Sequence, residues 1–597
     1  MVGKEDITNQ IKSMYSEIIT WSKNLFMLPK GKVGKDFVHE LTRIINHFVE
    51  KSEWQDLSLP AAHIFVPLML QKPSVNSKAS VNSKYLKERL ALWDEGNLGK
   101  LRLQATEIQK RIQKELAKKQ SNSHKLFCRY MMHGILQVLQ EKHPEAAPLH
   151  PDIPLQYTEE IATVEPVIFE AIDETSIYNA AKNTFGSAGP THIDSDGWKH
   201  ILCSKFYGKK AEQLRTTIAG MCRRICTEEV NPDCLEELLS CRLIPLKKKD
   251  DPKGVRPIGI GEVLRRIMGK AVMSVIRPDI MEACGSLQTC SGIESGIEAA
   301  VHSMATQFKN EKTQAMLLVD ASNAFNSLNR QAALLAIKHR CPPFYRYLQN
   351  TYQATTRQYI SGSKEGRFIP AREGATQGDN AAMAFYGIST TPIIEELDRL
   401  CEAIQAWYAD DSSSCGSLDQ LLHWWKTLCE IGPKYGYHPN AKKTILIVKN
   451  IADLPCAKMM FKPHGVNVSW SGERHLGAVI GTEEFRQEYV STKVQQWVDS
   501  VQELSTIAVN EPQLAYSSYV KGLSHKWTYL QRTIPGVAEL FQPLEDAIRA
   551  SLLPALLGKP INDTERQILA LPVRIKVVWE YLTQRQQLIE NTGVLQP

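Results

Sequence analysis

The chain has 597 residues, 43% of them hydrophobic and 23% charged, with a formal net charge of +6. That length is too great for one hydrophobic core and points to three or four domains, while the composition excludes a fibrous or disordered chain. No apolar run reaches membrane-spanning length (Ala61 to Leu70 is core-sized), and Lys4, Glu5 and Asp6 open an N-terminus without a signal-peptide core, so a soluble intracellular protein without a membrane partner is expected.

Residues 1–150 read as a helical N-terminal region, with apolar residues at helical spacing in Phe37–Phe48 and Leu86–Ile112; nucleic-acid binding, partner binding or neither is open for it. Between them Ser74–Lys78 is repeated as Ser80–Lys84, a polar pattern that predicts a loop. Lys110–Lys119 is a basic helix, either a solvated face or a surface that tracks a template. The proline-rich stretch Pro144–Pro154 marks a boundary. Helices and short strands follow to about residue 310, a strand-rich region with helices spans 315–485, and helical periodicity returns from Glu488, broken by Pro535, Pro543, Pro554 and Pro560.

The 13 cysteines lack a framework of close spacings, which suits reduced thiols in the cytosol or nucleus. Cys222, Cys226, Cys234 and Cys241 are the tightest group; they read as small buried thiols on a helix, with zinc as the sharper alternative. From Lys247 to Lys270 there are eight Lys or Arg and three acids. Lys247, Lys248 and Lys249 follow a strand-like Leu243–Leu246, Asp250–Gly254 makes a turn, and Arg256-Pro257-Ile258 returns. This hairpin carries cations on both arms, and Lys247, Lys248 and Arg256 suit the phosphates of a nucleoside triphosphate. A solvated charge run is the plainer reading.

Asp320 ends the apolar run Ala315–Val319, ahead of a turn and a helix. Taken alone it is equally a helix-capping aspartate. Phe325, five residues on, gives it another meaning, because a bulky ring at the floor of a nucleotide pocket would clash with a ribose 2′-hydroxyl. In Gly374–Asn380 two glycines bracket a polar turn before a helix expected over Ala381–Leu400 with an interruption at Pro392. There Gln377 and Gly378 suit contact with a sugar or base, and a plain helix entry is the alternative. Tyr408-Ala409-Asp410-Asp411 follows the mostly apolar run Ala403–Trp407 and precedes three serines, which reads as strand, tight turn, strand. Two adjacent carboxylates repel, and a hard divalent ion such as Mg²⁺ relieves that repulsion. If the Asp320 strand lies beside this turn, three carboxylates serve a two-metal phosphoryl-transfer site. Lys442 and Lys443 precede the apolar strand Ile445–Val448, where a lysine can act as a general acid or simply face solvent. His475-Leu476-Gly477 follows a hairpin-like Val466–Gly472, and its glycine permits a close approach of nucleic acid.

In this order the stretches resemble the motif series of reverse transcriptases, in the branch of non-LTR retrotransposon and group II intron enzymes. Tyr408–Asp411 looks like the signature turn, Asp320 with Phe325 like the first catalytic acid and the gate against ribonucleotides, and Gln377-Gly378 like the next motif. Asn440–Thr444 matches Asn-x-x-Lys-Thr, which favours Lys443 over Lys442; His475-Leu476-Gly477 is similar to the primer grip, and Phe185–Ile193 to the segment that opens the fingers. The resemblance covers roughly 180–485 and implies an α+β right-hand polymerase: fingers at 166–310, an α/β palm at 311–480 and a helical thumb with extension at 481–597. It further implies two Mg²⁺ ions held by Asp320 and Asp410, with the Ala321 carbonyl assisting and Asp411 as an outer ligand. An RNA template, a DNA or RNA primer and dNTPs are the implied partners. Asp379-Asn380 departs from the family's small-residue-plus-proline pattern, and Ala570–Ile575 runs on without the family's glycines, so a truncated or rearranged end is expected. No endonuclease constellation stands out, so for a mobile-element enzyme nicking is expected from a missing part or from a separate endonuclease partner. An RNA-dependent RNA polymerase and a catalytically silent RNA-binding relic are the competing readings.

Overall fold

The computed structural model describes residues 4–74, 76–119, 135–153, 166–248, 254–363 and 366–570. Lys249–Lys253 in the basic hairpin and the stretch Leu571–Ile575 lie outside the described residues, as do Val75, Pro154 and the side chains of Lys118 and Lys119. In chain order the strands are β1 (Cys241–Lys247), β2 (Val255–Gly261), β3 (Ala315–Val319), β4 (Thr356–Ile360), β5 (Phe368–Ala371), β6 (Ile404–Tyr408), β7 (Asp411–Gly416), β8 (Ile445–Val448), β9 (Asn467–Ser469), β10 (Gly472–His475) and β11 (Ala478–Gly481). With the helices they make an α+β chain that divides into two compact units: Met1–Ala300 with Val319–Thr444, and Val301–Leu318 with Ile445–Pro597. No helix among the described residues is long and apolar enough to cross a membrane.

The first unit opens with helices Lys4–Ile18, Lys32–Val49, Gln55–Leu70, Ala79–Asp94 and Leu98–Lys119. Gln55–Leu70 is apolar around most of its circumference and buried to match, as a central helix must be. The second copy of the polar repeat, Ser80–Lys84, is helical rather than a loop. Asn82 is buried there and accepts a hydrogen bond from Ser77 Oγ (2.6 Å), so tertiary bonding overrides polar composition. Tyr15, Ile18, Ile64, Leu68 and Ala105 close around Tyr359 of β4, giving the N-terminal helices and the sheet a common core.

That sheet has the order β2-β1-β4-β5. β1 and β2 form the basic hairpin, in register from Cys241↔Gly261 to Lys247↔Val255. β4 adds to β1 in parallel and β5 to β4 in antiparallel. One face, with Leu243, Val255, Ile360 and Ile369, closes on Leu139. The proline-rich stretch after Leu139 is bonded along this unit: the His143 ring meets Gln358 Oε1 (3.0 Å), Ala147 N donates to Glu373 Oε1 (2.7 Å), and Leu149 N donates to Gln331 Oε1 (3.0 Å). Helix Ala382–Leu400 runs unbroken through Pro392, where the sequence predicts an interruption. Burial of Ser389–Ile394 holds the turn that loses a backbone hydrogen bond to the ring.

In the second unit β3 pairs antiparallel with β8, from Ala315↔Val448 to Leu318↔Ile445, and β8 pairs parallel with β9. The hairpin expected over Val466–Gly472 lies further on. It is made by β10 and β11, with Leu476-Gly477 as its two-residue turn. Leu476 (φ 49°) and Gly477 (φ 87°) are both left-handed, which a two-residue hairpin of this twist demands. Helices Glu483–Ala508, Pro512–Ser518, His525–Thr533, Gln542–Ala547 and Leu553–Leu557 follow. Pro512, Pro543 and Pro554 each sit in a first helical turn, where proline starts a new piece at no hydrogen-bond cost. Val490, Val494, Trp497, Val501, Trp527 and Phe541 belong to the core they enclose.

Candidate active site

β6 and β7 pair so that Tyr408 faces Asp411, leaving Ala409-Asp410 as the turn. Ala409 adopts φ 54°, a conformation that suits glycine and costs another residue about 1 kcal/mol or more. The turn is held by a residue far away in the chain. Gln288, fully buried, accepts from Ala409 N (2.9 Å) and donates to Ala409 O (3.2 Å) and Thr390 Oγ1 (2.9 Å). Thr289 N donates to Trp407 O and Trp407 N to Leu287 O, fixing the same loop to β6. Tyr437 Oη donates to Asp410 O (2.9 Å) and lies 3.1 Å from Ser412 Oγ. The Ala409 N–H and C=O and the Asp410 C=O therefore all have buried partners.

Asp320 follows β3 directly, and its backbone is wrapped by the loop that carries the lysine. Asn440 N donates to Asp320 O (2.8 Å) and Ser322 N to His438 O (2.8 Å), while Thr444 N folds back onto Asn440 O. This brings Lys443 Nζ to 2.7 Å from Asp320 Oδ2. Desolvation, then Asp320, raises the Asp410 carboxyl above its ordinary value, with Arg256 and Lys443 opposing. Asp411 is open to solvent along one side, yet partial desolvation, then Asp410 and Asp320, pushes it up to about 7 against Lys443. The three acids thus act on one another electrostatically. Among the described residues, however, no three His, Cys, Asp or Glu side chains lie at metal-ligand range, so the expected convergence falls short of a ready-made cage. Like charges do not close on one another unaided, and the positive charge at Asp320 is that of Lys443. The donor chemistry, three carboxylates in mutual repulsion, fits a hard divalent ion.

Period-two alternation divides the basic hairpin. The register Leu246↔Arg256 and Lys247↔Val255 puts Arg256 and Lys248 on one face and Lys247 on the other. Burial, then Lys443, Lys142 and Arg256, lowers the Lys248 ammonium below its ordinary value, while Asp320 opposes. Lys443, Lys142 and Arg256 therefore lie within electrostatic reach of Lys248, and Arg256 and Lys443 within reach of Asp410, while Lys247 is on the opposite face of the hairpin. Lys142 belongs to no sequence motif; Asn323 Nδ2 ties its carbonyl to the Asp320 loop (2.9 Å).

Gln377 O accepts from Gly259 N of β2 (2.9 Å), and Gly378 adopts φ 111° with a would-be Cβ 2.6 Å from Gly259 O, so only glycine fits. The departure after this pair has a structural explanation. Asp379 is buried against Arg265 Nη2 (2.6 Å) and accepts from Tyr352 Oη (2.5 Å), while Asn380 Nδ2 donates to Arg266 O (2.6 Å). Phe325, half-buried, stacks on fully buried Tyr386 at a centroid distance of 4.6 Å and 22°. In the second unit, burial pushes the His475 imidazole down to about 4, and Tyr529 Oη donates to Leu476 O (2.6 Å). Cys222 and Cys226 are buried one turn apart on helix Lys209–Thr227. Burial pushes the thiols of Cys222 and Cys234 up to about 12 and that of Cys241 up to about 11. Among the described residues no three such side chains gather at metal-ligand range, which favours buried thiols over zinc.

Gln288, Tyr386, Lys142 and the Arg265–Asp379 pair were not marked by sequence as parts of a site. Compared with known families, residues 246–475 match the model described as reverse transcriptase (RNA-dependent DNA polymerase). No curated protein matches the chain. Asp320, Phe325, Gln377, Asp410, Asp411 and Lys443 all fall inside the matched span, and the chain carries over residues 246–475 a domain similar to reverse transcriptases.

Proposed function

We propose that the chain is a primer-dependent, RNA-directed DNA polymerase of the non-LTR retrotransposon and group II intron-like branch, of retroelement origin. The observation that carries this is the electrostatic coupling of Asp320 with Asp410 and Asp411 beside Lys443, inside the span that matches reverse transcriptases. In this reading residues 166–310 are fingers, 311–480 the palm and 481–597 a thumb, and nicking of a target falls to a separate endonuclease.

Asp320 and Asp410 would hold two Mg²⁺ ions, with the Ala321 carbonyl assisting and Asp411 as an outer partner. When bound, the metal supplies the charge that activates a primer 3′-hydroxyl and neutralises the triphosphate. The chain's own residues do the rest. Lys248 and Arg256 grip the triphosphate from one face of the hairpin, and Lys247, on the other face, contacts nucleic-acid backbone. Lys443 gives up Asp320 as the site loads and offers its Nζ proton to the departing pyrophosphate. Gln377 and Gly378 meet the incoming nucleotide, Phe325 blocks a 2′-hydroxyl, and His475, Leu476 and Gly477 steady the primer.

Primer extension on an RNA template, run in Mg²⁺ with deoxynucleotides or ribonucleotides, tests the reading. DNA synthesis is expected, and Asp410→Asn should abolish it while binding of the template–primer duplex stays nearly intact. Preferred incorporation of ribonucleotides would make the chain an RNA polymerase. Binding without extension by the unaltered chain would make it an RNA-binding relic.

A further inference from the structure

The backbone of Phe325 is fixed independently of its ring. Ala375 N donates to Phe325 O (2.6 Å), and Gly374 is so close that a Cβ there would meet the same oxygen. Beneath the ring lies a second aromatic. Tyr386 lies in helix Ala382–Leu400, wholly buried, nearly parallel to Phe325 at 22° and 4.6 Å between centroids. Among the described residues its hydroxyl has no hydrogen-bond partner, and Asp410 and Asp411 are among the charges that act on it. A buried phenol without a partner costs free energy that a phenylalanine would not, so the hydroxyl gives no reason for this side chain; the flat ring gives a reason for an aromatic one. An aromatic plane with two side-chain torsions makes a stiff floor, whereas an aliphatic side chain leaves room into which a half-buried ring can sink.

We infer that Tyr386 is a positioning residue for sugar selection: it backs Phe325 and prevents that ring from retreating when a 2′-hydroxyl presses on it. This deepens the polymerase reading above and rests on it. A gate excludes an atom only if it cannot yield. Removing its backing should relax discrimination even though the gate residue itself is unchanged.

The test compares kcat and KM for a deoxynucleotide and the matching ribonucleotide opposite one template base, using the full chain. Phe325→Ala should lower the deoxy-over-ribo ratio, and Tyr386→Leu should lower it by roughly tenfold or more, chiefly through the ribonucleotide KM. In the double variant Tyr386→Leu should add nothing to Phe325→Ala, because no gate remains to be backed. Tyr386→Phe, which keeps the plane and removes the hydroxyl, should restore the ratio. A wild-type ratio in Tyr386→Leu, with the ratio lost in Phe325→Ala, overturns the inference and leaves the polymerase reading standing. An unchanged ratio in Phe325→Ala instead removes the gate, and the inference falls with it. Should melting reveal that Tyr386→Leu does not fold, Tyr386→Trp decides. Its larger ring should lift Phe325 toward the sugar and raise the deoxynucleotide KM several-fold; an unmoved KM overturns the inference.

Discussion

Two hairpin turns, one in each unit, place a residue other than glycine in the left-handed region: Ala409 at φ 54° and Leu476 at φ 49°. The strain is similar, and the means of holding it differ. At Ala409 a fully buried amide, Gln288, grips both the N–H and the C=O of the strained residue, and Tyr437 takes the next carbonyl. At Leu476 a single phenol, Tyr529, donates to the carbonyl, and its ring lies beneath Gly477. The first turn presents charges and is clamped on both sides; the second presents backbone and is supported from below. On the polymerase reading proposed above, a turn that aims carboxylates needs a fixed peptide plane, while one that meets a polymer's backbone needs only a fixed height.

The largest effect is expected from Gln288→Leu, which leaves two buried peptide groups of Ala409 without partners. Melting should reveal a loss of roughly 2–4 kcal/mol, with extension reduced far more than the melt implies. A variant as stable and active as the wild type would mean that the two turns are held alike. Gly477→Ala should cost about 1–2 kcal/mol, since it strains φ 87° and brings a methyl group to 3.3 Å from the Tyr529 ring. Tyr529→Phe should cost about 1 kcal/mol, the net worth of one hydrogen bond, and should weaken primer binding more than turnover.

The smallest effect separates the charged turn from the uncharged one through pH. Asp411 has a folded value of about 7, raised by desolvation, Asp410 and Asp320 against Lys443, above the unfolded carboxylate value of about 4. A raised carboxyl favours the folded state at low pH, and that contribution is lost as pH climbs through about 7. In chelator, the urea midpoint of Asp411→Asn should therefore gain on the wild type between pH 4 and 7 and level off above. Tyr529→Phe should hold a constant offset over the same range.

Local chemistry made much of the site legible. Adjacent acids between apolar and serine runs announce the Ala409 turn, and an apolar pentapeptide running into Asp320 announces a strand end. The choice of Lys443 over Lys442 comes from the resemblance of Asn440–Thr444 to the family pattern, not from local chemistry. The separation of Lys247 from Lys248 was also present in the sequence, since neighbours on a strand face opposite ways. The sequence reading places a hairpin at Val466–Gly472, ahead of the Leu476 turn, because the signal of that turn is a pair of φ values, not a residue type that demands them. Gln288 stayed hidden because nothing near it predicts a partner 121 positions away, and Tyr386 because one aromatic in an apolar helix looks like any core residue.

The Arg265–Asp379 pair, with side chains only 3% and 4% exposed, has a consequence for how this sequence can drift. Losing either partner strands a charge away from water at a cost of several kcal/mol, whereas replacing both with fitting apolar groups can be nearly neutral. Positions 265 and 379 should therefore change in concert across descendants of this chain, each acting as the other's evolutionary brake.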